Sequence, residues 1–414
     1  MTSSTSGRGG STVTRRAFVV TTAAGAVVSA TPLRLARAAG PLKVGLILPR
    51  SGVQAQFGID CQRGADVAPE ILKAKGYPEL HYVLADTESN VQVARAQAEK
   101  LINEGAHILV GAFDSGASTA IAQVAEQKGV PFVINIAAAP AITEQGFNFT
   151  FRNFPTGKMI AADGFKLQKE MFADTGKTPS SVVMLHVNDT FGTTQRDATV
   201  ALAPKFQMPY KILDTIAYDP AAKDLSVEVA KAKSTGADAL WVISRLNDAI
   251  LVTREMVKQR WEPMGILSTG PGWYEDAYMN ALGKYSDDVI SFLPWYDPNK
   301  PMTKLLKAAM ARKYPKISLN TNQSHTFEAI LIVADAYKRA NSTDPKALQE
   351  ALLKTNITDN VTAGPGVSFQ EGNQNFKTLD SAVQDRGGSH VVVYPKAASD
   401  GKVVWPMRGW QNRG

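Results

Sequence analysis

Residues 43–49 read Lys-Val-Gly-Leu-Ile-Leu-Pro, and residues 62–75 behind them carry Ala65, Ala68, Ile71 and Leu72 on one helical face. The first stretch is a short apolar run stopped by proline, the pattern of a buried strand. The second recurs with the 3.6-residue period of a helix. This pairing decides the fold because the chain repeats it. Residues 81–85, 108–110 and 130–134 predict further strands, with helices over 91–103 and 119–128 between them. Repeated β-α units imply a parallel sheet covered by helices on both faces. After an extended stretch at 150–154, ended by Pro155, the pattern restarts. Strands are expected at 181–186, 211–217, 239–243, 265–267 and 289–293, alternating with helices near 156–172, 191–203, 223–234, 247–259 and 273–282. Three helices follow, at 303–313, 323–340 and 345–354. The tail changes character, with a terminal hairpin or edge strand expected from 389–394 and 402–405.

With 414 residues, 44% hydrophobic and 20% charged, the chain holds enough apolar material to bury a core, which excludes a disordered protein. The single cysteine, Cys61, excludes an intramolecular disulfide and a thiolate-rich metal site, and five histidines leave little for a histidine centre. No metal and no cofactor is expected. The net charge of +7 invites a nucleic-acid reading, but Arg8, Arg15, Arg16, Arg34 and Arg37 all lie in residues 1–38, which contain no acid. Without them, 40 basic residues stand against 38 acidic ones, and no longer Lys/Arg run follows. A nucleic-acid binder would keep a concentrated basic face.

Residues 1–38 themselves read as an export signal. Arg15-Arg16 precedes a weakly apolar stretch over 17–33, and Ala36-Arg37-Ala38 offers the small-x-small pattern of a signal peptidase site. The segment resembles a twin-arginine signal, which implies the twin-arginine translocase and signal peptidase as partners during export. An uncleaved anchor would need about 20 apolar residues. Cleavage after Ala38 would leave a soluble periplasmic protein beginning at Ala39.

Within the remaining chain, Val44-Gly45-Leu46-Ile47-Leu48-Pro49 is followed by Ser51-Gly52, Phe57-Gly58 and Arg63-Gly64-Ala65. Then come Asp86-Thr87, Val110-Gly111-Ala112-Phe113-Asp114-Ser115, Ala138-Ala139-Pro140, Phe151-Arg152-Asn153 and Asn188-Asp189-Thr190-Phe191-Gly192. In order and spacing these resemble the type I periplasmic solute-binding proteins of the branched-chain amino acid transport class, from about Pro41 to Trp405. The resemblance implies an α/β fold of two Rossmann-like, doubly wound lobes with three crossovers. Lobe one would span 41–154 plus 295–370, lobe two 155–294 plus 371–405, with 406–414 a C-terminal tail. It also implies a monomer that captures a small-molecule ligand, expected to be a small carboxylate or an amino acid of aromatic or branched-chain type, in an interlobe cleft and carries it to the membrane permease of an ABC importer. A periplasmic ligand-sensing subunit is the alternative.

The candidate site follows from strand ends, where open α/β sheets bind ligands. Ser115 precedes a helix after the strand 108–110, so its hydroxyl and nearby N–H groups could hold a carboxylate; the resemblance assigns it that role. Ala137 and Ala138 fall where the family uses backbone groups and a threonine hydroxyl, here missing. Phe57 and Phe191 match aromatic positions lining the family's cleft. Arg50 and Arg245 both follow strands and could face an anionic ligand. The loop 267–272, with Gly270, holds no acid where the resemblance expects a partner for a ligand ammonium, leaving Glu275 or Asp276 as substitutes. Trp273, Tyr274 and Trp295 add aromatic surface near the rim. No enzyme motif supports a catalytic reading: there is no GxSxG elbow, HExxH or phosphate-binding glycine loop after a strand.

Overall fold

The computed structural model describes residues 40–370 and 372–413. The export signal expected over 1–38 and its cleavage point lie outside the described residues. The chain enters on β1 (Leu42–Leu48), α1 (Ala55–Ala74), β2 (Leu80–Asp86), α2 (Val91–Asn103), β3 (Ile108–Gly111), α3 (Ser115–Lys128), β4 (Phe132–Ile134), α4 (Ala141–Glu144) and β5 (Thr150–Arg152). These strands form one parallel sheet in the order β2-β1-β3-β4-β5. β1 is buried along nearly its whole length, as a central strand covered on both faces must be. The helix α1 starts at Ala55, seven residues before the start read from the sequence. Phe57 and Cys61 continue upstream the same buried stripe that Ala65, Ala68 and Leu72 mark, so the apolar face fixes a longer helix.

The second block holds α5 (Gly157–Thr175), β6 (Ser181–Val187), α6 (Thr190–Leu202), β7 (Lys211–Tyr218), α7 (Ser226–Ser234), β8 (Ala239–Ile243), α8 (Leu246–Lys258), β9 (Ile266–Ser268), α9 (Asp276–Leu282) and β10 (Ile290–Pro294). After it come α10 (Pro301–Lys313), α11 (Thr321–Ala340), α12 (Pro345–Leu353), the two-residue strands β11 (Asn356–Ile357) and β12 (Val367–Ser368), and finally β13 (Asp380–Arg386) and β14 (Ser389–Tyr394). The larger sheet runs β14-β13-β10-β9-β8-β6-β7. Its β7-to-β10 part is parallel, and β13 and β14 add an antiparallel edge.

That edge corrects the sequence reading. Residues 402–405 form no strand. The hairpin partner of β14 is β13, which turns through Gly387 and Gly388 at φ +55° and +74°, a two-residue connection suited to a tight hairpin. The residues after it are not a loose tail: Met407 and Trp410 are buried, and the Trp410 indole N–H donates to the Trp261 carbonyl at 2.9 Å.

Among the late helices, α11 is buried along most of its length and packs on α1, β3 and β4. Its Glu328 carboxylate accepts hydrogen bonds from the N–H groups of Val361 (2.8 Å) and Thr362 (2.9 Å), the Thr362 hydroxyl (2.6 Å), and the amides of Asn153 and Asn360. One side chain thereby joins α11 to the end of the first sheet and to residues 360–362. Glu328→Gln sets an NH2 group against some of these donors. It should cost about 2 kcal/mol of stability, read from the urea midpoint, with the far-UV spectrum unchanged.

Candidate ligand-binding site

Each sheet reverses its strand order beside its first strand, β2-β1-β3 in one and β7-β6-β8 in the other. Ligands of open α/β sheets sit beyond the carboxyl ends of the strands at such a switch. A cavity of about 460 Å³, part of it open to solvent, lies there. The first block supplies Phe113, Ser115, residues 136–138 and Phe154; the second supplies Phe191, Arg245, Thr269, Pro271, Tyr274 and the end of β10. Thr321, the first residue of α11, closes one side. Most of this lining is apolar.

Ser115 is the first residue of α3, whose N-cap Asp114 accepts the Ala117 N–H at 2.9 Å. Its side chain is buried, and its oxygen accepts from the N–H groups of both Ala138 and Ala139 at 3.3 Å. With its lone pairs engaged, its hydroxyl proton is left to donate into the cavity. Thr269 is similar: its hydroxyl oxygen accepts from the Trp241 indole N–H at 3.1 Å. Thr321 and Tyr274 instead give their protons to the Pro294 carbonyl (2.6 Å) and the Asn322 side-chain oxygen (3.3 Å). The cavity thus offers donors to a ligand acceptor at Ser115. Phe113, beside it, has φ +71°, a left-handed conformation unusual for a bulky residue, held by its N–H bond to Asn135 and by stacking on Phe57.

Arg245 lies in the wall, but its guanidinium is engaged by carboxylates from both blocks. It donates to Asp114 at 2.9 Å, beyond β3, and to Asp189, beyond β6, while lying 5.0 Å over the Phe191 ring. Burial lowers its pKa, and Asp189 and Asp114 outweigh that, so the net shift is upward. Asp114 and Asp189 each also cap a helix, accepting from Ala117 and Gly192. Arg245 therefore bridges the two sides of the cleft.

Among the described residues, no Asp or Glu is in the wall. Glu275, the first substitute expected for an ammonium partner, is fully buried elsewhere and accepts the Asn322 amide at 2.6 Å. Burial, then the Asp60 carboxylate, push its pKa well above the ordinary carboxyl range. Asp276 accepts from the Ser318 N–H at 2.9 Å.

Of the candidates read from sequence, Ser115, Ala137, Ala138, Phe191 and Arg245 come together around the cavity, and Tyr274 joins them. Five do not line it, among them Trp295, which is fully buried and stacked on Tyr296. Phe57 is stacked behind Phe113 with ring centroids 4.6 Å apart, and Trp273 packs edge-on to Tyr278; neither is exposed at all. Gly270 is recessed between Thr269 and Pro271: a Cβ there would lie 2.4 Å from the Ser244 carbonyl oxygen, so it lets the loop after β9 approach the loop after β8. Arg50 reaches the Gln62 side chain at 3.5 Å, away from the cavity. Phe154 and Thr269, not singled out from sequence, follow the strand ends of β5 and β9, and the same strand-end rule points to them. Thr321 opens a helix far along the chain; Asn320 and Gln323 mark that start as a capping box, but nothing local points Thr321 at the cavity.

Behind Phe154 stands His325, edge-on to it at 5.1 Å and fully enclosed. Burial brings its pKa down to about 4 from an ordinary 6.5. Between those values the unfolded chain takes up a proton that the folded one refuses, so His325 makes stability fall as pH drops from about 6.5 towards about 4. Urea midpoints across that window should show the decline, and His325→Phe should flatten it.

Two α/β blocks enclose a mostly apolar cavity between their strand ends, and the family that the chain matches is one of solute-binding proteins, not enzymes. The family described as periplasmic binding protein matches residues 41–388, and the chain belongs to it. Among its relatives, Leu/Ile/Val-binding protein homolog 7 of Brucella suis biovar 1 (strain 1330) is 26% identical over 386 residues, spanning 90% of this chain and 96% of that protein. Among solved structures, a leucine-binding protein, LivK, of Thermotoga maritima superposes with a TM-score of 0.74 at 21% identity, over 85% of this chain and 97% of that one. An ABC-transporter solute-binding protein of R. palustris in complex with benzoate gives 0.72 at 19% identity, over 86% and 96%. Among the described residues no helix is long and apolar enough to cross a membrane.

Proposed function

We propose that this is the exported solute-binding subunit of an ABC importer, which captures a small carboxylate with an aromatic or branched body, not an amino acid, and delivers it to a membrane permease. It would act as a periplasmic monomer. Its lobes would be 41–154 with 295–370 and 155–294 with 371–405, closing over the ligand. The observation that carries the ligand class is the wall itself: Ser115 has a proton to donate, and no Asp or Glu is present to meet an ammonium. A buried ammonium without such a partner is costly. The aromatic surfaces of Phe113, Phe154 and Phe191 suit a flat or bulky apolar body. Solved structures of this fold hold benzoate in one case and isoleucine in another, so the fold accommodates a carboxylate with or without an ammonium, and the ligand class rests on the wall.

A thermal-shift screen of aromatic acids, aliphatic acids and amino acids tests this reading. A ligand at 100 times its Kd adds about 2.7 kcal/mol of stability. Benzoate or a branched aliphatic acid should raise the midpoint, and the hit should reduce the radius of gyration in small-angle scattering. Stabilisation by amino acids alone would contradict the ligand class, and saturable binding with unchanged scattering would contradict closure.

A further inference from the structure

Arg152 ends β5 and is fully enclosed. Its guanidinium donates to the carbonyls of Ala139 (2.6 Å) and Ala137 (3.1 Å), to the Gln374 side-chain oxygen (2.6 Å) and to the Thr143 hydroxyl (2.5 Å). All four acceptors are neutral. The acid that acts on it, Glu144, is exposed and engaged by Lys158 at 3.0 Å. Burial lowers the Arg152 pKa to about 9, which leaves it charged at neutral pH. A buried cation ordinarily has a carboxylate beside it.

The charge faces the cavity through the backbone. The Ala137 carbonyl gripped by Arg152 belongs to the same peptide unit as the Ala138 N–H, and that N–H points at Ser115 Oγ. The next peptide unit is held in the same sense: the Ala138 carbonyl accepts from the Gly157 N–H at the start of α5 (2.7 Å), and the Ala139 N–H faces Ser115. Both peptide dipoles thus have their carbonyl ends on positive partners and their N–H ends toward the site where a ligand acceptor meets Ser115. Hydrogen bonds in such chains polarise one another. Arg245 cannot supply this charge, because Asp114 and Asp189 occupy it.

We propose that Arg152 is a positioning residue that, without touching the ligand, makes the Ala137–Ala139 turn and Ser115 selective for an anionic group. This rests on the reading that the ligand presents a carboxylate to Ser115, and it adds the source of the charge preference.

The test is calorimetric titration with benzoate and with its neutral counterpart benzamide. Arg152→Met removes the charge. Because that variant also leaves the acceptors of Arg152 unpaired, Thr143→Asp is its companion: it keeps Arg152 and places a carboxylate beside it on the half-buried helix α4. An opposite charge nearby shifts a carboxylate's preference by about 1–3 pKa units, and the effect relayed through one peptide should be at its lower end. Thr143→Asp should therefore lower benzoate affinity about tenfold, leave benzamide within twofold, and melt no lower than wild type. Equal losses for both ligands, or unchanged benzoate binding, would overturn the role of Arg152 while leaving the carboxylate reading intact. Wild-type protein that binds leucine or phenylalanine but no carboxylate lacking an ammonium would overturn the reading itself, and the inference with it.

Discussion

Ser115→Ala weakens benzoate binding by about one to two decades. The side chain is buried at the start of α3, and two backbone N–H groups hold its oxygen, so its proton is the group left to meet the ligand. A hydrogen bond to a charged group contributes roughly 1.5–3 kcal/mol, and each 1.4 kcal/mol is tenfold in Kd. The alanine variant also frees the Ala138 and Ala139 N–H groups, which can turn to the ligand and recover part of the loss. Calorimetry should show the weaker binding, and the thermal midpoint of the unliganded protein should fall by a few degrees because two buried N–H groups lose their acceptor. A Kd within threefold of wild type would remove Ser115 from the site.

Arg245→Met is expected to cost at least as much, by a different route. Arg245 joins Asp114 and Asp189, one from each block, with its side chain only 10% exposed. Removing one partner of a buried pair costs about 3–5 kcal/mol because the remaining charge is left unpaired. Here two carboxylates are left, though both keep a helix-capping bond and some contact with water. A value near the lower end is therefore expected, roughly 3 kcal/mol, or about a hundredfold in affinity. Opening the cleft lets both carboxylates hydrate, so the cost falls on the closed, ligand-holding form. Benzamide should weaken through faster dissociation, and benzoate further still, because the two bared carboxylates also repel an anion. A loss confined to benzoate would show instead that Arg245 pairs with the ligand's charge, the role its place after a strand first suggested.

The alternating strands and helices were legible because the central parallel strands are short, almost uniformly apolar runs, as in β1 and β8. β13 was not, because its sequence is polar: Asp380, Ser381, Gln384 and Asp385 are all buried, with Gln384 bonded to Val404 and Asp385 to His390. No periodicity of apolar residues announces a strand whose buried positions are so largely polar. The site divides in the same way. Ser115, Ala137, Ala138 and Arg245 follow strand ends, and strand ends can be found from sequence. Phe57 and Phe113 are both aromatic and both near the switch point, yet one stacks in front of the other, and sequence spacing does not say which is in front. Arg245 lies beside the cavity, while its carboxylate partners, 131 and 56 residues away in sequence, became visible only in the folded chain.

The central claim is that the cleft holds a carboxylate without an ammonium. The most direct measurement is a pair of calorimetric titrations on the unliganded protein, one with phenylalanine and one with 3-phenylpropanoate, which differ only in the amino group. The account predicts saturable binding of 3-phenylpropanoate with phenylalanine at least about a hundredfold weaker, since an unpaired ammonium in a buried site costs several kcal/mol. Tighter binding of phenylalanine than of the deaminated acid would contradict it, and would mean that an acid, Glu275 or Asp276 first among them, turns into the cleft when the ligand arrives.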